Sequence, residues 1–184
     1  MILEDKERKL FFKLWLKLLV FVNNKYKLIK NFGSPEIPVG LNIDDIGKIR
    51  NKLWKNYNII DEFLKYTNLC KNDYEIVNSW KNFIKGKFIV LKNYKEYTVI
   101  MDSDNEILYG IYGITNPIIE MVPALPMMIE TVIIPLKGKI IYDSLIQRYD
   151  VIVGKNMRQS FNEKYIEIKN RIGIKCILES TTSP

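Results

Sequence analysis

The chain has 184 residues, of which 47% are hydrophobic, and a net charge of +7 with no histidine at all. That length suffices for one domain, or two small ones packed together, without disulfide or metal. The lack of histidine excludes zinc sites and serine or cysteine triads of the usual composition, and the distant Cys70 and Cys176 form no ligand grouping, reading instead as small buried residues that suit a reducing cytoplasm.

The first helix is expected over residues 4–22. Glu4, Asp5 and Glu7 favour its positive N-terminal end, and Phe11, Trp15, Leu18 and Val22 recur at helical spacing. Lys13 and Lys17 interrupt its apolar run, which is also shorter than the ~20 residues a membrane span needs; the helix therefore reads as amphipathic, with no transmembrane segment. Lys6, Lys9, Lys13 and Lys17 recur at spacings of three and four and make a second, basic stripe that could track phosphates. The competing reading of the stripe is a solvated outer face. Breaker-rich residues 31–40 follow.

Asn42 is placed to cap a second helix carrying Ile46, Ile49 and Leu53, and a short third helix is expected from Asn58. A fourth, with a box formed by Asn72 and Glu75, is expected to run to Gly86. Beyond Gly86 the apolar period becomes two, predicting strands over 88–91, 97–101 and 107–114, then a hairpin of 129–134 and 139–145 around Lys137-Gly-Lys139. A further strand is expected over 149–153. Ser160 and Glu163 predict a capped helix 160–172, stopped by Gly173 and followed by an edge strand 174–178.

The expected fold is α+β: a helical region over residues 1–86 packed with an antiparallel sheet of five or six strands (87–184), covered by helix 160–172, forming one compact unit. Helices followed by strands favour this over a doubly wound parallel sheet.

Residues 96–136 hold six acids and no Lys or Arg, so the rest of the chain carries a net +13. Such polarity suits a polyanionic partner or an acidic protein. Lys137-Gly-Lys139 lies in a turn and not before a helix, which makes it no phosphate loop. Asp102-Ser-Asp-Asn-Glu106 has oxygens at alternate positions, but Ile107 and Gly113 stand where a calcium loop needs Gly and Glu. Glu167 and Lys169 match the end of a nuclease motif, but on a helix this spacing turns them apart. Tyr142, Asp143 and Arg148 around the hairpin are the polar candidates nearest the centre of the chain; alternatively, they form a buried ion pair and a tyrosine holding strand ends.

Ile49-Arg50-x-x-Leu53-Trp54, Ile60-Asp61-Glu62-Phe63, Ser79-Trp-Lys-Asn-Phe-Ile-Lys-Gly86 and above all Glu130-Thr-Val-x-x-Pro135-x-Lys-Gly-Lys-Ile-Ile-Tyr-Asp143 resemble a family of uncharacterised bacterial proteins, relatives of which are described alongside SEC-C motifs. The resemblance covers most of the chain after residue 25. This chain keeps only Gly154 of the family's glycine-rich turn and has no SEC-C cysteine cluster. The family has no assigned activity, so the resemblance supplies no catalytic residues to carry over; no cofactor is expected. The expectation is a non-catalytic binding or interaction module leaning to nucleic acid. An enzyme using carboxylates and lysine, or a scaffold subunit of a complex, are the alternatives.

Overall fold

The computed structural model describes residues 1–30, 32, 42–104, 106–149 and 153–178. The fold is α+β. The chain divides into two compact units, Asp5–Lys81 and Met1–Glu4 with Asn82–Pro184. Among the described residues no helix is long and apolar enough to cross a membrane.

The first unit is helical: α1 (Asp5–Tyr26), α2 (Ile43–Lys55), α3 (Ile59–Tyr66), α4 (Lys71–Ser79) and one 3₁₀ turn at Trp80–Asn82. α1 runs one turn beyond its expected end, because Asn23 is buried and used fully. Its amide donates to the Ile29 and Phe32 carbonyls at 2.9 Å, and its oxygen accepts from the Ile29 amide at 2.8 Å. The core is aromatic. Trp15 stacks on Phe11 and Trp54, each at 5.9 Å between centroids, and meets Trp80 edge-on at 5.8 Å.

Asn42 caps α2 as expected, accepting from the Asp44 amide at 3.0 Å. α4 departs from expectation at both ends. Its cap is Cys70, which makes no side-chain capping hydrogen bond, and the helix stops at Ser79. Asn72 and Glu75 therefore form no box. Trp80 is fully buried, and from Ile84 the chain is already paired as a strand with Ile133, so sheet pairing overrides the helical period there. Cys70 is exposed and Cys176 half-buried, against the expectation that both are buried. The breaker-rich segment 31–40 falls, except for Phe32, outside the described residues.

The second unit holds β1 (Ile84–Asn93), β2 (Thr98–Asp102), β3 (Leu108–Tyr112), the single helical turn α5 (Ile118–Met121), β4 (Met127–Leu136), β5 (Lys139–Arg148), α6 (Lys155–Ile172) and β6 (Ile174–Lys175). The sheet order is β2-β1-β4-β5-β3-β6, and β2 also pairs with β3, so the first five strands close on themselves into a small barrel. Phe88, Val90, Ile100, Tyr109, Ile111 and Ile133 share the face that closure makes interior. Alternation along each strand sets this face, and Phe88 meets Tyr109 edge-on at 6.4 Å.

The sheet is mixed, which corrects the antiparallel expectation: β3 runs parallel to both β5 and β6. The β4–β5 hairpin inserts between β1 and β3, which brings β5 beside β3 in the same direction. Strand patterns identify strands but carry no information on which distant strand they meet. β6 takes the edge of β3 at Leu108 and Tyr109, just ahead of the β5 pairing at Ile111 and Tyr112. The strand expected over 149–153 falls mostly outside the described residues.

The hairpin turn is where the sequence places it. Leu136 pairs with Lys139, and Lys137 and Gly138 both have positive φ, 49° and 76°. This two-residue turn twists in the sense the strands require, and Gly138 adopts it without steric cost. Gly113 follows β3 at a close approach: a Cβ there would stand 2.1 Å from the Asn116 carbonyl oxygen. Its amide and carbonyl bond Met1 and Leu3, stitching the first residues of the chain to this unit.

α6 starts at Lys155, with Gly154 at its cap, and not at Ser160 as expected; Gly173 ends it. Tyr165 and Ile168 pack on Ile89, Val99, Met101 and Leu108, so the helix covers the outer face of β1, β2 and β3. Ile172, the last residue of α6, is 48% exposed.

Candidate nucleic-acid interface

The basic stripe of α1 is less available than its spacing suggests. Lys9 pairs with Asp5 at 2.7 Å, and Lys13 with Asp73 at 2.9 Å. Lys6 is exposed, while Lys17 is half-buried at a shallow apolar hollow of about 270 Å³ beside Phe21 and Phe63. Two of the four charges are thus neutralised by neighbours.

The Lys13 pair has a pH signature. The hydrogen bond from Lys13 holds the Asp73 carboxyl below its ordinary value of 3.8. A lowered carboxyl pKa contributes stability that is fully present above the unfolded value and lost as pH falls through the folded one. Lys13→Gln should therefore shift the acid unfolding midpoint, read by tryptophan fluorescence, to higher pH. An unchanged midpoint would show that the pair contributes nothing.

Tyr142 and Arg148 both meet Met121, and the charge of Asp143 acts on the Tyr142 phenol. Tyr142 and Asp143 are consecutive residues of β5. Both are buried, and burial raises the Tyr142 phenol above its usual pKa. Its hydroxyl faces the Met121 sulfur at 3.7 Å, while the exposed Arg148 donates to the Met121 carbonyl at 3.3 Å. At Asp143 the ladder bulges: Thr131 pairs with Ile146 and Ile133 with Tyr142, leaving residues 143–145 opposite Val132. Ser144 within this bulge has φ 92°, a left-handed conformation that non-glycine residues adopt at a cost.

Lys137 and Lys139 sit in a different setting. Ladder register puts their turn, the end of β3 and the β1–β2 connection at one end of the barrel, since Ile140 pairs with Ile111, and Ile111 with Thr98. Lys139 lies over the Tyr112 ring at 5.4 Å. The β1–β2 connection adds exposed Lys95 and half-buried Tyr94 and Tyr97, and the end of β1 adds half-buried Lys92. Lys92 stands 4.3 Å from the centroid of Tyr165 on α6, and the Tyr94 and Tyr165 hydroxyls share a 2.5 Å hydrogen bond. Lys169 lies 5.7 Å from both rings.

These groups polarise one another. The bond to Tyr165, helped by Lys169 and Lys92, lowers the Tyr94 pKa, while burial raises that of Tyr165. The two phenols in turn raise the Lys169 pKa and keep that ammonium charged.

Beside this cluster lies a half-open groove of about 230 Å³, edged by Lys92, Arg158 and Asn162 and floored by Phe161, Tyr165 and Pro126. The sequence reading missed it. Arg158, Phe161, Asn162, Tyr165 and Lys169 share one helical face at spacings of three, one, three and four, but with the helix begun at Ser160 Arg158 fell outside it. Among the described residues no three His, Cys, Asp or Glu side chains converge to hold a metal ion. The chain matches no protein-family model, no curated protein and no solved structure.

Proposed function

We propose that this protein is a non-catalytic binding module for single-stranded nucleic acid, which it contacts with the Lys137–Lys139 end of the barrel. The observation that carries the reading is the alternation of cations and rings there: Lys92, Lys95, Lys137 and Lys139 among Tyr94, Tyr97 and Tyr112. Bases stack on aromatic faces while ammonium groups follow the phosphates, a pairing that tolerates any sequence.

The topology supports the same reading. Five strands closed as a Greek key, with one parallel pair between the third and the fifth, make a barrel of the OB type. Such barrels bind oligonucleotides with strands 2 and 3 and with the loops joining strands 1–2 and 4–5. This is analogy at the level of fold. Here α6 covers the outer face of β2 and β3, so contact falls to the two loops, which are where the lysines lie.

A contact using the four lysines gives a slope of log affinity against log salt of about −2.8 for single strands, at ~0.7 per phosphate. Labelled RNA and DNA single strands should be titrated across a salt series. Lys137→Gln with Lys139→Gln should flatten the slope by about 1.4, whereas Lys6→Gln with Lys17→Gln on α1 should leave it unchanged. Equal binding by the barrel variant, or competition by polyglutamate as effective as that by RNA, would overturn the proposal in favour of nonspecific charge or an acidic protein partner.

A further inference from the structure

We infer that the groove between the end of β1, residues 125–126 and α6 is a pocket for one unpaired nucleotide unit, with the base on Phe161 and the phosphate between Lys92 and Arg158. The inference rests on the nucleic-acid reading above and names the part of the ligand that this second site takes.

Three kinds of contact converge there. Lys92 and Arg158 both line the groove with positive charge, one from β1 and one from the first turns of α6. Arg158 is held in place at its Nε, which donates to the Val153 carbonyl at 3.1 Å. This leaves the two terminal nitrogens of the guanidinium for a phosphate, which that planar fork suits. Asn162 brings both a donor and an acceptor to the edge of a base, as a side-chain amide can. Phe161, half-buried, and Pro126 give flat apolar surface against which a ring can lie.

Size narrows the ligand. A groove of about 230 Å³ is smaller than the ~300–1,000 Å³ of sites that enclose drug-sized ligands. It suits a single base with its sugar edge and gives no room to a base pair. Lys92 is steadied by the ring of Tyr165, which is itself fixed by its bond to Tyr94. The nearest negative group on α6 is Glu163, which accepts from Gln159 at 2.9 Å on the neighbouring face of the helix. The pocket wall is therefore cationic without a competing carboxylate in its lining.

The test uses the whole chain, with AMP, adenosine and inorganic phosphate as separate calorimetric probes beside the single-stranded oligonucleotide. AMP should bind more tightly than either fragment. Phe161→Ala should lose about tenfold in AMP affinity, the size of one stacking contact. Phe161 is half-buried, so Arg158→Gln and Asn162→Ala, both at exposed positions, serve as variants that leave the core alone; each should weaken AMP, and Arg158→Gln should also weaken phosphate. Lys137→Gln with Lys139→Gln should weaken the oligonucleotide and spare AMP. If the oligonucleotide binds but AMP does not, the pocket is refuted while the interface reading stands. If phosphate binds as tightly as AMP, the groove is an anion site only and the base contact is refuted. If neither oligonucleotide nor AMP binds, both readings fall.

Discussion

Trp15→Ala is expected to destabilise the helical unit by about 3–5 kcal/mol, the range for removing a large aromatic from a packed core. Trp15 is 1% exposed and touches three other rings, so its loss opens a cavity that no neighbour can close without moving an indole. The measurement is direct, because all three tryptophans of the chain, Trp15, Trp54 and Trp80, lie in the unit Asp5–Lys81. Urea unfolding followed by the emission of the remaining two reports that unit alone. A loss below ~1 kcal/mol would mean that the aromatic stack is ornamental and that aliphatic contacts of α1 carry the core.

Gly113→Ala is the second large effect, and it acts on the barrel unit. The added methyl would stand 2.1 Å from a backbone oxygen, that of Asn116, and 3.0 Å from the carbon of the same peptide. No side chain can swing aside to relieve this, so the 113–117 turn must move, at a cost of about 3 kcal/mol, the upper end for overpacked sites. Because Gly113 also bonds Met1 and Leu3, amide exchange at Leu3 should quicken in the variant beyond what the global loss requires. Thermal melting by circular dichroism together with exchange at Leu3 checks both effects. A variant as stable as the parent would show that the turn is more plastic than its contacts imply.

Elements with strong local signals were legible in the sequence. Asn42 caps α2 because its side chain serves an amide two residues on, a local fact. The Lys137-Gly138 turn was legible for the same reason, since two residues between β-branched runs leave the chain few other paths. The misreadings have a shared physical cause. Asn72 and Ser160 both look like caps, but helices α4 and α6 begin upstream of them, at Lys71 and Lys155, behind Cys70 and Gly154, which make no side-chain capping bond. Residues 83–86 continue a helical period, yet the bonds from Ile84 to Ile133 and from Gly86 to Thr131 recruit them into β1. Parallel pairing of β3 with β5 was invisible because it depends on which strand arrives between two others.

The candidate site divides along the same line. The turn that carries Lys137 and Lys139 announces itself. The α1 stripe was found by spacing, but Asp73, sixty residues from Lys13, neutralises some of it, and no helical period reports a partner at that distance. Tyr94 and Tyr165 lie 71 residues apart in the chain, so their shared hydrogen bond is a product of the fold and left no trace in either segment.

The stitching of residues 1–4 to the barrel unit makes that unit discontinuous in sequence, with the helices of Asp5–Lys81 carried as an insertion between its first residues and the rest. During synthesis the two units therefore mature in an order opposite to that of their first residues. Domains fold as units as the chain emerges, and the helical unit is complete once Lys81 has left the ribosome. Leu3, made earlier, has nowhere to dock until β3 and Gly113 follow. The inserted unit can thus be folded while the host barrel is still being translated, and the leading residues act as a latch that closes on the later-made portion of the chain.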